Sequence, residues 1–515
     1  MFDKWLKIPA HFYLRATALT ILVVGVAISN VLMSIGAIWI ISNWLIEADF
    51  SNYKKRLFAS PEIILILLFL LFCIVSMLWS DDFWYGFKDI KIKLPLLAIP
   101  LALATGKPLE NKVFYFVLYV FIGIIVYTSL YNYIWYNYFL DVQTDIRLMS
   151  KFISQIRFAL LIDLAFFVSI FLIFEKRLRL VIALPIMAWL VFYMYKSQVL
   201  NGYILFVVLL LVTLIYTILK LKSFKLKLSF FVAIALVFLG IGIFSYSIIS
   251  EYKKVERPML SSLEMTTING SEYYHDTTSL QAENGNFIWQ YICEKEAANE
   301  WNKRSAMDFH GLDNKGQPMF GTLYRFLTSK NYRKDSVGVW QLTNDEVAQI
   351  ENGVTSAAMN EGLKTKIHSF LFEYDMYLEG ADPNGFSLLQ RMEHIKTAFT
   401  ILSDNWLTGV GIGDVDLAFK SYYKRTNTKL LPENQLRAHN QFISSWIATG
   451  VVGLILVVLI FIVPFFRRAK SDYFLVICLL TVFVGCLFED MFETQAGATI
   501  FALFYSMAVF REKPD

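Results

Sequence analysis

Residues 438–466 read AHNQFISSWIATGVVGLILVVLIFIVPFF, and this stretch decides the fold class. It holds no Asp, Glu, Lys or Arg and is followed directly by Arg467 and Arg468. Because a membrane-spanning helix needs about 20 mostly apolar residues, the stretch is long enough to cross a bilayer. The composition of the whole chain also indicates a membrane protein. Of 515 residues, 56% are apolar and 17% are charged, whereas soluble domains have about 45–50% and about 25%.

This composition excludes several classes of function. A mean hydropathy of +0.50 over the whole chain excludes a soluble secreted enzyme, a nucleic-acid-binding protein and a disordered scaffold. The net charge of +4 is too small to indicate a polyanionic partner. The four cysteines offer no disulfide framework and no cysteine-based zinc site, since three of them lie inside apolar runs.

Apolar runs of spanning length recur along the chain. The run at 16–46 exceeds one untilted crossing, and Asn30 and Gly36 offer places to turn, so two spans fit it better than one. It is also too long for a cleavable signal and is expected to remain as a membrane anchor. Further spans are predicted near 61–80, 90–105, 112–138, 152–174, 178–195, 200–220, 227–249, 438–466, 471–489 and 493–511. The prediction is an all-α polytopic membrane protein with about twelve transmembrane helices.

The distribution of Lys and Arg predicts sidedness. Connections such as Lys54-Lys55-Arg56 and Arg467-Arg468 hold most of the basic residues, and the alternate connections hold far fewer. The positive-inside rule therefore places both termini in the cytoplasm and segment 251–437 outside. The predicted domains are an N-terminal membrane domain at 1–250 with about nine spans, a large outer loop domain at 251–437, and a C-terminal membrane domain at 438–515 with three spans.

The loop domain is predicted to be mainly helical. Thr343-x-x-Glu346 is a capping-box pattern that predicts a helix to about Met359. A second helix is predicted over about 387–403, where apolar residues recur at helical spacing. They form one apolar stripe on this helix: Leu388, Met392, Ile395, Phe399 and Leu402.

The clearest candidate for chemistry lies where the chain returns to the membrane. His439 is expected just before the N-terminus of a membrane helix on the outer face, and the positive end of the helix dipole there favours the neutral, proton-accepting imidazole. Gly450 and Gly453, three apart, are expected to let another helix approach. The same residues also suit a solvated interfacial histidine followed by ordinary helix-packing glycines, and these residues alone do not decide between the two.

The spacing resembles a known signature. His439-Asn440, nine residues, Gly450, two residues and Gly453 resembles the motif of the O-antigen ligase and polymerase superfamily. The stretch from Gln390-Arg391 to Gly409-Val-Gly411-Ile-Gly413 resembles the segment that precedes it in that family. The Glu489-Asp490 stretch resembles the acidic turn before the family's last span.

The resemblance implies an inverting, metal-independent glycosyltransferase without a cofactor. It implies a multi-pass protein of the bacterial inner membrane whose large loop is periplasmic. The donor would be a glycan on undecaprenyl pyrophosphate, and the acceptor a hydroxyl, for which the lipid A core is the leading expectation. His439 is then expected to be the catalytic base, and Asn440 to orient the histidine or a sugar hydroxyl.

Three positions are expected to bind the donor pyrophosphate, since guanidinium and ammonium groups suit phosphate oxygens. Arg157 resembles the family's membrane-embedded arginine, although snorkelling to headgroups or pairing with Asp163 would also explain it. Arg391 is the arginine of the upstream motif. Gln198 stands where relatives often have arginine. Either Lys196 supplies that charge instead, or the donor is bound with fewer charges.

Other polar patterns in the sequence are weaker indications of a functional site. Asp414-Val-Asp416 could hold a divalent cation, but Asp414 fits a helix N-cap better. Ser80-Asp81-Asp82 is expected to pack at the interface. The histidines show no metal-ligand spacing, and His394, one turn after Arg391, is the one that could also face the site.

Two rivals stay within the family: a repeat-unit polymerase and a protein O-oligosaccharyltransferase. A third, from another class, is a transporter or flippase, against which the chain shows no correspondence between two halves. The sequence does not separate the acceptors, name the sugar or linkage, or give the oligomeric state, because loop surfaces read the acceptor.

Overall fold

The computed structural model describes residues 10–140, 146–253, 259–279, 281–314, 316–357, 363–384, 386–468 and 472–511. Helices dominate these residues. In chain order they are α1 (Ala10–Ile28), α2 (Asn30–Glu47), α3 (Phe50–Ala59), α4 (Pro61–Val75), α5 (Phe83–Ile92), α6 (Leu94–Thr105), α7 (Asn111–Tyr138), α8 (Gln155–Phe174), α9 (Leu180–Ser197), α10 (Leu200–Lys220), α11 (Phe224–Lys253), α12 (Glu294–Arg304), α13 (Met319–Ser329), α14 (Ser336–Trp340), α15 (Asn344–Glu351), α16 (Leu363–Leu378), α17 (Ser387–Asn405), α18 (Val415–Arg425), α19 (Gln441–Arg468), α20 (Tyr473–Phe488) and α21 (Gln495–Val509).

Among the described residues, nine helices are long and apolar enough to cross a membrane. They are α1, α2, α4 with the 3₁₀ turn that follows it, α7, α8, α9, α10, α11 and α19. The three other predicted spans correspond to shorter helices: α6 with 12 residues, α20 with 16 and α21 with 15. A mostly helical chain with many candidate membrane-spanning helices is therefore confirmed, whereas the total of about twelve crossings stays a prediction.

The run at 16–46 divides into two helices, α1 and α2. The break falls at Ser29, whose side chain accepts a hydrogen bond from the Leu32 N–H at 3.4 Å and caps α2. A Cβ on Gly36 would come within 2.7 Å of the Leu22 side chain. The break between the helices is therefore at Ser29, one residue before the predicted turn at Asn30. Gly36 is not a turn and instead allows α1 and α2 to pack closely.

The described chain packs into two compact units. The first comprises residues of 1–220, 394–428 and 435–515, and the second comprises 221–393 and 429–434. The core of the first unit is built largely from α1, α7, α8, α20 and α21. These units are defined by packing and not by position in the membrane. The predicted domains at 1–250, 251–437 and 438–515 therefore stay a prediction.

The second unit has its own apolar core around Trp301, Phe309 and Leu323. It holds a small antiparallel sheet, β1 (Ala282–Glu283) with β2 (Asn286–Phe287). The capping box at Thr343 and Glu346 forms as predicted. The helix that it starts ends at Glu351, before the left-handed Gly353, so the predicted extent is wrong, and Met359 lies outside the described residues.

The predicted helix over 387–403 forms as α17, but its buried face differs from the apolar stripe. Ala398 and Ile401 are fully buried, whereas Ile395 and Phe399 are 39% and 53% exposed. Leu402 is the stripe residue that is buried. The predicted helix is confirmed, and its buried face, which includes His394, lies about one position away from its most apolar stripe.

Candidate functional site

The two motifs of the sequence meet at a break in α19. Gly450 has φ 67° and ψ −168°, so the helix is interrupted there. Two α19 carbonyls before the break accept hydrogen bonds from the glycine-rich stretch of the upstream motif. Val410 N–H donates to Ile447 O at 2.8 Å, and Gly411 N–H donates to Ala448 O at 3.1 Å. In return, Val451 N–H donates to Trp406 O at 3.1 Å. The glycine-rich loop at 406–413 is thus joined to α19 by backbone hydrogen bonds.

Glycine is required at this junction for two reasons. The Gly450 backbone lies in a region that is essentially restricted to glycine. A Cβ on Gly450 would also lie 2.1 Å from Leu407 O, and one on Gly409 would lie 2.5 Å from Gly450 N. A Cβ on Gly453 would meet Thr449 of its own helix. We predicted that Gly450 and Gly453 let another helix approach closely, and this prediction is wrong. At Gly450 the segment that approaches closely is the backbone of a loop, not a helix.

The other side of the loop is anchored to the 80–82 turn. The Asp414 carboxylate accepts from the N–H groups of Asp81 and Asp82, both at 2.8 Å. Gly413 N–H donates to Ser80 Oγ at 3.0 Å. Asp414 does hold the N-cap position of α18, but within the described chain its side chain makes no capping bond. The predicted N-cap position is therefore confirmed, but two amides of a neighbouring turn take the carboxylate.

His439 lies two residues before the first residue of α19, as the sequence predicted. Its φ of 51° is in the left-handed region, which is unusual for a residue with a side chain. The Asn440 carboxamide accepts from Ile443 N–H at 3.1 Å and donates to Leu487 O at 3.0 Å. Asn440 therefore caps α19. Backbone strain of this kind is typical of functional positions and motivates a functional interpretation of His439.

His439 lines a cleft of about 500 Å³ in the first unit. The cleft lies where α8, α19 and α21 begin and α20 ends. Its lining is rich in charged and hydrogen-bonding side chains: Tyr85, Lys88, Asp89, Arg157, Asp416, Gln435, Arg437, His439, Glu489, Asp490, Glu493 and Thr494. Two of the predicted site residues, His439 and Arg157, are therefore brought to one cleft.

Arg157 is held in the cleft by a carboxylate. Its Nη2 donates to Glu489 Oε2 at 3.1 Å, and both side chains are largely buried. Its Nε has no hydrogen-bond partner among the described residues. The pairing with Asp163 that the sequence allowed does not form, since both Asp163 carboxylate oxygens are buried without a partner in the described part of the chain. Arg157 thus keeps donor capacity beyond its ion pair.

Beside it lies a buried cluster of ions around Glu493. Lys93 Nζ is 2.7 Å from Glu493 Oε2 and 2.8 Å from Asp89 Oδ2. Arg437 Nη1 reaches the same Glu493 oxygen at 3.2 Å and also donates to the Tyr85 hydroxyl. Burial and the nearby Glu493 carboxylate raise the pKa of Asp89 to about 7. The cluster ties α5, the start of α19 and the turn before α21 together.

Hydrogen bonds from α19 reach the same acidic turn. Ser444 Oγ donates to Asp490 Oδ1 at 2.6 Å. Gln441 accepts from Phe492 N–H at 2.6 Å and donates to Glu493 Oε1 at 3.3 Å. Burial raises the pKa of Asp490, and the Ser444 hydroxyl lowers it in part. The first turn of α19, directly after His439, is therefore fixed against the turn that supplies the cleft's carboxylates.

A second histidine packs against the first. The rings of His394 and His439 have centroids 5.6 Å apart, with an angle of 54° between their planes. His394 is buried, and its ring also packs on Tyr423, whose hydroxyl donates to Leu436 O at 2.7 Å. The upstream motif therefore contributes a ring contact to His439.

The remaining predicted site residues lie elsewhere. Lys196 is half-buried in the last turn of α9, with its Nζ 5.7 Å from the Tyr195 ring centroid. Gln198 adopts a left-handed conformation with φ 53° at the end of the same helix. Neither is among the residues that line the cleft. Arg391 belongs to the second unit. A donor-binding role for these three residues stays a prediction.

Arg437 was missed by the sequence analysis although it stands two residues before His439. Lys93 was also missed, and a signal for it existed. It is a cation inside a predicted span and therefore needs a buried partner, while Glu489 and Glu493 offered acids at the far end of the chain. Which acid pairs with which cation depends on packing and is not readable from sequence.

Comparison with known families gives the site its context. Residues 337–458 match the family model described as O-antigen ligase. Over this segment the chain is similar to the O-antigen ligase family. The resemblance drawn from His439 and Gly450 is confirmed, and the family is one of membrane glycosyltransferase-like ligases. The domain contains His439 and Arg391 but not Arg157 or Lys196. No curated protein matches the chain.

The O-antigen ligase domain and the apolar helices together identify a multi-pass membrane protein. Among the described residues, no group of three His, Cys, Asp or Glu side chains is arranged to hold a metal ion. The acidic pair Asp414 and Asp416 is engaged otherwise, since Asp416 Oδ2 lies 2.7 Å from Lys420 Nζ.

Proposed function

We propose that the protein transfers a glycan from undecaprenyl pyrophosphate to an acceptor hydroxyl on the periplasmic face of the inner membrane, with the lipid A core as acceptor. The observation that carries this proposal is that His439, within the O-antigen ligase domain, shares a cleft with Arg157 and Arg437. A base and two guanidinium groups at the ends of membrane helices suit a hydroxyl nucleophile and a pyrophosphate leaving group.

The reaction is a single displacement. The acceptor oxygen forms a bond to the anomeric carbon while the bond from that carbon to the pyrophosphate oxygen breaks. The hydroxyl proton passes to the imidazole of His439, and the leaving group departs as undecaprenyl pyrophosphate. Attack opposite the leaving group inverts the anomeric centre. The arginines stabilise the charge that grows on the pyrophosphate, so neither a metal nor a cofactor is needed in this scheme.

Donor binding would exchange partners at Arg157. A pyrophosphate oxygen would replace Glu489 Oε2 on Nη2, because a bidentate phosphate contact suits guanidinium geometry. Arg437 and Lys88 would add cationic groups from the same cleft. Arg391 and Lys196 are proposed as further contacts to the donor, with Gln198 beside Lys196. Asn440 would act through the helix start that it caps, by holding His439 in place.

A complementation experiment tests the proposal. A deletion strain receives wild type, His439→Ala or His310→Ala, and its lipopolysaccharide ladder is compared at equal membrane levels of each protein. His310 is an exposed histidine of the second unit and serves as the matched control. Wild type and His310→Ala should restore the missing linkage, and His439→Ala should not. Restoration by His439→Ala would remove the base assignment.

The missing product in the deletion strain identifies the acceptor. Loss of long chains from the core, with free polymer on the lipid carrier, would indicate the ligase. A core that bears one repeat unit would indicate a repeat-unit polymerase. Normal lipopolysaccharide with unglycosylated envelope proteins would indicate a protein transferase. Donor that accumulates on the cytoplasmic leaflet would indicate a flippase and would overturn the proposal.

A further inference from the structure

A second cleft, of about 660 Å³, lies within the second unit. Its lining comes from the 274–289 segment and from Glu379, which follows α16. The lining combines two aromatic side chains with hydroxyl, carboxamide and carboxylate groups. It shares no described residue with the cleft beside His439, so it is a separate site with its own chemistry.

Gln281 forms the buried centre of this cleft. Its side chain is fixed at both ends: Nε2 donates to Glu379 Oε2 at 2.7 Å, and Oε1 accepts from Trp289 Nε1 at 2.8 Å. Only 7% of the residue is exposed. Because a carboxamide has two donors and two acceptor positions, one of each remains beyond these two bonds. The amide is thus held in one orientation towards the cleft.

Two carboxylates stand beside the amide. Asp276 Oδ1 accepts from Thr278 N–H and Thr278 Oγ, both at 2.7 Å. Glu379 also accepts from Ser279 Oγ at 3.3 Å. These bonds orient the carboxylates, and the described lining contains no Lys, Arg or His. Such a lining repels phosphate and carboxylate ligands and favours a ligand that donates several hydrogen bonds.

The aromatic side chains supply an apolar face. Tyr274 is 63% exposed, yet its backbone is fixed, since it exchanges hydrogen bonds with Ile292 at 2.7 Å and 3.1 Å. Trp289 is half-buried, with its ring nitrogen bound to Gln281. An exposed ring on a fixed backbone beside hydrogen-bonding groups matches a ligand with one apolar face and a polar rim.

We propose that this cleft binds a saccharide that is neutral or carries an amino group. A sugar ring presents C–H groups to the Tyr274 ring and hydroxyl donors to Asp276, Gln281 and Glu379. The choice of a sugar among ligands rich in hydroxyl groups rests on the proposed function, whereas the exclusion of anionic ligands rests on the lining alone. Glycan bound in this cleft would contribute to affinity and acceptor choice.

The test measures binding to the full-length protein in nanodiscs. The probe is an immobilised array of neutral, amino-bearing and uronic-acid oligosaccharides, with trilysine peptide and inorganic phosphate as competitors in solution. Neutral or amino-bearing glycans should be captured. Tyr274→Ala should weaken capture by roughly tenfold, and Glu379→Gln by roughly five- to tenfold. Tyr274→Phe, which keeps the ring, should stay within about twofold.

Tyr374→Ala is the matched control, because Tyr374 is an exposed aromatic residue of the same unit that does not line the cleft. It should bind like wild type. No capture of any glycan, equal capture by Tyr274→Ala, preference for uronic acids, or displacement by trilysine alone would each overturn the proposal. His439→Ala should retain full capture, so a failure of the transfer mechanism is distinguishable from a failure of this site.

Discussion

Among the described residues, each unit buries one lysine almost completely, and the two lysines differ in their partners. Lys93 in the first unit lies between the carboxylates of Asp89 and Glu493. Lys334 in the second unit donates to backbone carbonyls, those of Gln290 at 3.0 Å and Phe287 at 3.4 Å. A buried ammonium without a carboxylate loses its charge easily, whereas one between two carboxylates keeps it.

The two buried lysines are therefore stabilised in different ways, one by fixed negative charge and the other by backbone hydrogen bonds. The first unit maintains a set of buried ions beside His439, and these ions link elements that are far apart in sequence. The second unit buries its lysine as a hydrogen-bond donor that stabilises a loop. The buried ions beside His439 lie at the cleft for which we propose charge-stabilising chemistry, and the predictions below test the contrast between the two lysines.

The largest effect is expected from Glu493→Gln. This change removes the charge of the carboxylate that Lys93 and Arg437 share, and breaking a buried ion pair by removing one partner costs about 3–5 kcal/mol. Thermal unfolding of the purified protein should show a clear fall in Tm. Asp416→Asn, which removes an exposed i,i+4 pair with Lys420, should change stability by less than about 0.5 kcal/mol. Equal effects would show that the buried cluster is not a structural anchor.

Gly450→Ala is expected to come next. The substitution places a Cβ 2.1 Å from Leu407 O at a backbone conformation that only glycine adopts freely, so it should cost at least about 2 kcal/mol and separate the two motifs. Transfer should fall together with stability. Gly123→Ala in α7, where no described atom lies within 4 Å of the new Cβ, should be neutral or stabilise by about 0.5–1 kcal/mol. A stable, active Gly450→Ala protein would contradict the described junction.

A smaller, pH-dependent effect is expected at Lys334. Burial lowers its pKa from 10.5 to about 7, so between these values the unfolded chain binds more protons than the folded chain. Stability should therefore rise as pH increases from 7 to 9, by roughly 1–2 kcal/mol. Lys334→Met removes the titrating group and should remove this part of the pH dependence of Tm. An unchanged slope in Lys334→Met would show that Lys334 stays charged when folded.

Much of the fold was readable from sequence because an uncharged apolar run of spanning length is seldom anything but a membrane helix. The α1 and α2 pair, the capping box at Thr343 and the position of His439 before α19 followed from local patterns. The end of α15 and the buried face of α17 did not, because both depend on contacts with residues far away in the chain.

The site was predicted in part for the same reason. His439 and Arg157 were predicted from a motif and from a charge near a membrane span, and both line the cleft. Their partners were not predictable: Glu489 lies 332 residues after Arg157, and the break at Gly450 is matched to a loop from another part of the chain. Contacts between residues that are far apart in the chain produce no repeating pattern of apolar and polar residues, so the sequence alone does not predict them.

Transfer by the purified protein tests the central claim most directly. Undecaprenyl-pyrophosphate-linked glycan and a hydroxyl acceptor are supplied to wild type and His439→Ala in nanodiscs, and donor binding is measured on the same samples. We expect transfer to fall at least about 100-fold in His439→Ala, with donor binding unchanged within about threefold because Arg157 and Arg437 remain. Transfer by His439→Ala at the wild-type rate would show that His439 is not the catalytic base.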